Sequence, residues 1–284
     1  SKKINKKYIL NNVNLNIEGT YGLIGPNGAG KTTLMRALTG LISVNSGEII
    51  LEDGEWNTCG NKKGALQKIG YLPQEFHMYS KVTIWDCLNH LAILKGVVNK
   101  TKREKLLEDL LKKVNLFNKK DLKIENLSGG MKKRVGIAQM LIGDPIVLII
   151  DEPTAGLDIA ERIRFRNLIR NLSVNKIIII TSHIIEDVEF LCTKIGIINE
   201  GKVIAEGSPK EISRAAQGKV WRKKVSSTEI NTIFNSFNVI DARQADDNYY
   251  YVRILADEQP PNSVNISPKV IDGYLSIINQ GVEV

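Results

Sequence analysis

The stretch "GPNGAGKTT", Gly25 to Thr33, places Gly25, Gly30, Lys31 and Thr32 at the spacing G-x-x-x-x-G-K-[ST], after a strand-like segment and before a helical one. Glycines there let successive backbone N–H groups turn inward as an anion nest, and a helix opening at the same point adds its positive end. Lys31 is placed for β- and γ-phosphates and the Thr32 hydroxyl for Mg²⁺. Pro26, Asn27, Gly28, Ala29 and Thr33 complete the loop.

Far downstream, "IVLIIDEP" ends in Asp151 and Glu152. Adjacent strand residues point to opposite faces, so the two carboxylates divide the work. Asp151 is the candidate Mg²⁺ partner, through water, because Mg²⁺ keeps much of its hydration shell. Glu152 is the candidate general base for an attacking water, a role worth about 10²–10⁴-fold in rate. His183 follows the aliphatic run "KIIIITSH". Parallel strands ending on one sheet edge meet at the ligand crevice, which puts His183 near a γ-phosphate as a hydrogen-bonding sensor. Gln74 ends "IGYLPQ", where its amide could touch metal or water; a surface-loop glutamine fits that spacing equally well. A lone acidic strand end or strand-end histidine is ordinary, and the phosphate loop is what lends these residues their meaning. His77 and His90 have no such company.

Elements able to position these groups are visible in the pattern. "PIVLIIDEP" and "KIIIITSH" are continuous aliphatic runs of strand length, as in strands covered on both faces. "TYGLIG" is a third, "LQKIGYLP" and "SGEIILEDGEW" (closed by Asp53-Gly54) are further strands, and "YILNNVNLNIEG" alternates like a half-buried one. Helical spacing follows the phosphate loop, runs from "TIWDCLNHLAILKG" through "MKKRVGIAQMLIG", and returns at "RFRNLIRNL". Thr101 with Glu104, and Ser208 with Pro209 and Glu211, read as capping boxes. Strands alternating with helices predict a mostly parallel α/β sheet. Near Gly218 the character changes to a small α+β tail, with Trp221 and Tyr249–Tyr251 expected in its core.

With 43% hydrophobic and 25% charged residues the composition is that of an ordinary globular protein, and the +8 net charge is dispersed rather than clustered. No uninterrupted apolar stretch reaches the length of about 18 residues that spans a bilayer, and the first residues lack the apolar core of a secretion signal. Cys59, Cys87 and Cys192 stand far apart, which excludes a disulfide scaffold or zinc ribbon and fits a reducing compartment.

In order along the chain, "GPNGAGKTT", "YLPQ", "LSGGMKKR", "VLIIDEP", "AGLD" and "ITSH" closely resemble the nucleotide-binding subunit of ATP-binding cassette (ABC) transporters, over roughly residues 1–217. The resemblance implies a P-loop NTPase α/β core with an antiparallel β subdomain and an α-helical subdomain at about 76–135, followed by a C-terminal accessory domain at 218–284. It implies ATP and Mg²⁺ as cofactors, ATP hydrolysis, and two such subunits packed head-to-tail as a homo- or heterodimer. Each ATP would then lie between the phosphate loop of one chain and Ser128, Gly129 and Gly130 of the other, with the helix near Met131 aiming its dipole at that γ-phosphate. Ser128 can cap that helix at the same time. Asp158 of "AGLD" matches the loop that touches the opposite subunit, and Gln74 with residues 76–95 would carry motion to a membrane partner. Where the family carries an adenine-stacking aromatic this chain has Ile4, with Tyr8 four residues on; either Tyr8 substitutes or adenine contact is weak.

The resemblance further implies a separate integral membrane permease, a peripheral location on the cytoplasmic face of the cell membrane, and no nucleic-acid partner. The tail, ending in "DGYLSIINQG", is similar to extensions on ATPases of ABC-2-type exporters, which move peptides, antibiotics or lipids outward. A soluble ABC ATPase working on ribosomes or DNA is the alternative, but the paired cassettes or inserted coiled coil typical of those are missing. A non-hydrolysing nucleotide sensor is the other, opposed by the intact Glu152 and His183.

Overall fold

The computed structural model describes residues 1–5, 7–51, 67–76 and 78–280; the Asp53-Gly54 turn, Cys59 and His77 lie outside the described residues. Contacts group the chain into two units, Ser1–Val203 and Ile204–Val284.

The first unit opens with a hairpin of β1 (Lys2–Ile4) and β2 (Lys7–Leu10). The strand expected through "YILNNVNLNIEG" stops at Leu10, because Asn12 takes a left-handed φ of 50°. The alternation still governs burial: Val13, Leu15 and Ile17 are half-buried against the core while Asn12, Asn14 and Asn16 are exposed. No strand runs through residues 46–50, where one was also expected.

The core is a parallel sheet. β3 (Thr20–Ile24), β4 (Ile69–Leu72), β5 (Val147–Asp151), β6 (Ile177–Thr181) and β7 (Lys194–Asn199) lie in the order β4-β5-β6-β3-β7, with β8 (Lys202–Gly207) at the edge. All five residues of β3 and of β5 are buried, as their unbroken apolar runs require of strands covered on both faces. Register aligns the carboxyl ends: Leu72 lies beside Ile150, Asp151 beside Thr181, and Leu23 beside Thr181. Every loop that follows β3, β4, β5 or β6 therefore leaves from one edge.

Helices α1 (Lys31–Leu38), α2 (Ile84–Leu94), α3 (Lys100–Lys113), α4 (Gly129–Leu141), α5 (Ile159–Leu172) and α6 (Ile185–Leu191) connect these strands. Helix α3 begins earlier than Thr101 predicts. Asn99 is its N-cap, accepting from the Lys102 amide at 3.0 Å, so no capping box forms at Thr101 and Glu104. The helix's apolar residues Leu107, Leu110, Leu111 and Val114 are buried against α2 and α4, with Leu106 half-buried beside them. Cys87 and Cys192 are buried free thiols, and burial pushes both above their ordinary pKa.

The second unit holds α7 (Pro209–Arg214), β9 (Val220–Ser226), α8 (Ile230–Ser236), β10 (Asn238–Asp246), β11 (Tyr249–Leu255), β12 (Ser263–Asn265) and α9 (Val270–Gln280). Its sheet is antiparallel in the order β10-β11-β9-β12. Ser208 and Glu211 form the expected capping box at α7. This helix lies ahead of the composition change at Gly218 yet groups with the tail. Gly273 of α9 leaves no room for a Cβ against the Ile212 carbonyl, and Ser276 donates to Ala215. Trp221 and Tyr250 join the Val225, Ile233, Val252 and Ile254 core. Tyr249 and Tyr251 do not: period-two alternation puts them on the other face, 42% and 45% exposed, beneath Lys224 and Arg222.

Candidate functional site

A cavity of about 540 Å³ opens at the common strand edge, lined by Ile9, Asn27, Gly28, Gly30, Lys31, Thr32, Thr33, Gln74, Glu152 and His183. Gly28 and Gly30 take φ of 81° and 106°, conformations that a side chain would strain. Gly30 sits at the N-cap of α1 with no side-chain cap, leaving the helix's first amides open to the cavity. Lys31 is 6% exposed and its Nζ donates to the carbonyls of Gly25 at 2.8 Å and Pro26 at 3.0 Å. Burial draws its pKa down, opposed by the charges of Glu152 and Asp151.

Across the cavity, Glu152 gathers the other candidates. Gln74 Nε2 donates to Glu152 Oε2 at 3.1 Å, and His183 Nδ1 lies 3.1 Å from the same oxygen. The strand stops at Asp151, and Glu152 turns left-handed at φ 46°, a conformation that costs a non-glycine residue roughly 1–2 kcal/mol. Thr181 holds it there: the Glu152 amide donates to the Thr181 hydroxyl at 2.9 Å. That hydroxyl in turn donates to Asp151 Oδ1. Asp151 is 1% exposed, and its Oδ2 has no hydrogen-bond partner among the described residues. A buried carboxylate oxygen left open is costly unless something positive or hydrogen-donating occupies its far side. The donor set of Asp151, Thr32 and Gln74, all oxygen or amide, therefore fits a hydrated Mg²⁺.

Ser128, Gly129, Gly130 and Asp158 are not among the cavity's lining residues. Ser128 and Gly129 are exposed at the start of α4, with the Ser128 hydroxyl accepting from the Met131 amide at 3.2 Å. Asp158, also exposed, caps α5 through the Glu161 amide at 2.8 Å.

The family model of the ABC transporter matches residues 10–155. The chain is 43% identical over 208 residues to the lantibiotic transport ATP-binding protein SrtF of Streptococcus pyogenes, covering 72% of this chain and 86% of that protein. It is 36% identical over 225 residues to the Nod factor export ATP-binding protein I of Burkholderia orbicola, covering 76% and 71%. A dimeric post-hydrolysis structure of the ATP-binding cassette MJ0796 with ADP and Pi superposes with a TM-score of 0.63 at 28% identity, covering 71% of this chain and 91% of that one. This chain belongs to the ABC transporter family.

It is accordingly an ATP-binding, ATP-hydrolysing subunit of the ABC transporter type. No helix among the described residues is long and apolar enough to cross a membrane. Within this ABC subunit, Gln74, Glu152 and His183 meet although they are far apart in sequence. Tyr8 stands apart: it is 45% exposed beneath the Lys3 ammonium, and its neighbour Ile9 lines the cavity instead. Ile9 and Thr181 were not singled out from sequence. Thr181 was marked only by its place in "ITSH", and Ile9 by its phase opposite Tyr8 in a strand.

Proposed function

We propose that this subunit powers export of a peptide, antibiotic, lipid or similar substrate from the cytoplasmic face of the membrane, through a separate permease. The names of its relatives, lantibiotic transport and Nod factor export, support that direction and class. Residues 1–217 are the nucleotide-binding domain in this reading and 218–284 an accessory domain. The observation that carries the mechanism is the Glu152 carboxylate, held between Gln74 and His183 across one cavity from the phosphate loop.

The triphosphate lies along Gly25–Thr33, where the open amides of α1 and the Lys31 ammonium offer donors. Lys31 exchanges its bonds to Gly25 and Pro26 for phosphate oxygens. Asp151 and Thr32, with Gln74, would hold Mg²⁺, which neutralises phosphate charge when bound. Glu152 accepts a proton from water as the water oxygen bonds to the γ-phosphorus and the bond to the β,γ-bridging oxygen breaks, giving ADP and phosphate. Gln74 orients that carboxylate. With Nδ1 of His183 engaged at Glu152, Nε2 is left to face the γ-phosphate. Ser128, Gly129 and Gly130 close the nucleotide of the partner subunit, Asp158 lies in the loop between the two sites, and Tyr8 or a weak contact serves adenine. Gln74 leads into the segment with exposed Tyr79, Ile93 and Leu94, which suits a membrane partner.

Glu152→Gln tests this directly. It is expected to lower turnover by about 10²–10⁴-fold and to trap an ATP-bound dimer, read by sedimentation with ATP and Mg²⁺. A variant that stays monomeric with ATP removes the shared-site mechanism.

A further inference from the structure

Helix α4 presents Ser128–Gly130 at its start, and one of its faces lies against the loop that carries Glu152. A Cβ on Gly130 would come within 2.6 Å of Glu161 Oε2, and the Arg134 guanidinium sits 3.4 Å from the same carboxylate. Those contacts join α4 to α5. Lys133, on the same face, makes a different contact. Its Nζ donates to the Pro153 carbonyl at 2.7 Å and the Ala155 carbonyl at 2.6 Å, inside the loop from Glu152 to Asp158.

Thr181 holds the start of that loop at the Glu152 amide and Asp158 caps α5 at its end, while the backbone bonds between them are long. The Ala155 amide reaches the Glu152 carbonyl at 3.3 Å and the Leu157 amide reaches Thr154 at 3.2 Å, both long. The Thr154 hydroxyl anchors it on the other side to Asp187, at 2.6 Å. Partial burial draws the Lys133 pKa down, with Glu152 pulling the other way, and the two carbonyl bonds offset that loss of hydration. A lysine on a solvated helix face would swing free of such a site.

We propose that Lys133 is a positioning residue that couples each chain's Glu152–Asp158 loop to the helix start which that chain offers to its partner's nucleotide. The proposal rests on the trans role of Ser128 given above. Ser128 and Lys133 are five residues apart, about 7.5 Å of rigid helix. A shift of α4 as Ser128–Gly130 meets a γ-phosphate is passed by Lys133 to the loop, and so to Glu152. Closure over one nucleotide thereby sets the base at the other.

Lys133→Met keeps the length of the side chain and removes its donors. It is expected to lower kcat about tenfold, leaving KM for ATP and monomer affinity for a fluorescent ATP analogue within about twofold, and Lys133→Arg is expected to recover most of the loss. Hydrogen exchange of the full chain supplies a readout independent of turnover: the Ala155 and Leu157 amides should exchange faster in Lys133→Met, with α4 and β5 unchanged. Unaltered exchange at those amides overturns the proposal, as does unaltered kcat in a preparation whose native form hydrolyses ATP. Faster exchange throughout α4, with kcat and affinity falling together, assigns Lys133 a merely structural role and also overturns it. A native chain without turnover would break the catalytic reading instead, and the exchange result would still decide the coupling.

Discussion

Two glycine-rich turns in this chain each open a helix, yet they are finished differently. At Gly25–Lys31 the turn is concave, α1 starts without a side-chain cap, and a buried lysine waits on the loop's own carbonyls. At Leu127–Gly130 the turn exposes Ser128 and Gly129 between buried Leu127 and Gly130, and its helix is capped by Ser128. An uncapped helix start in a cavity leaves amides that an anion satisfies. A capped, exposed start is stable alone and can still lend its hydroxyl to an incoming oxygen. In the proposed mechanism the first turn is the floor of a site and the second a lid, each offering its helix's N-terminal dipole to phosphate.

That contrast can be broken at either turn. Lys31→Ala, on the floor, should weaken nucleotide binding by the monomer by about 10–100-fold, the loss of charge-assisted bonds worth about 1.5–3 kcal/mol. Calorimetric titration with ATP and Mg²⁺ measures this, and unchanged affinity would detach the loop from the nucleotide. Ser128→Arg, on the lid, should leave monomer affinity within about twofold while turnover drops about tenfold or more, since a bulky cation now fills the contact between subunits. Equal loss of monomer binding would place the lid over its own chain's floor.

Much of the core was legible because it is encoded locally. The runs "PIVLIIDEP" and "KIIIITSH" have too many consecutive aliphatic residues for any strand with a solvated face, and β5 and β6 are indeed covered on both. From strands ending on one edge it follows that Glu152 and His183 share a crevice, and Gln74 reaches it as well, while Asp151 is buried behind them. What stayed illegible depends on packing or on single backbone angles. Nothing local marks Asn12 as the residue that ends β2, and Asn99 displaced Thr101 as a cap because either can accept an amide and only the helix's packing chooses. Lys133 reads as one more charge in "MKKR" until the loop at Pro153 and Ala155 folds over it. The Tyr249–Tyr251 cluster was split by strand alternation that no composition argument resolves.

The shared site stands or falls on one distance. In a crystal of Glu152→Gln loaded with ATP and Mg²⁺, Ser128 Oγ of one subunit should lie about 2.7–3.2 Å from a γ-phosphate oxygen bound by the other. A loaded structure in which that serine faces solvent, with each nucleotide enclosed by its own chain, would contradict it.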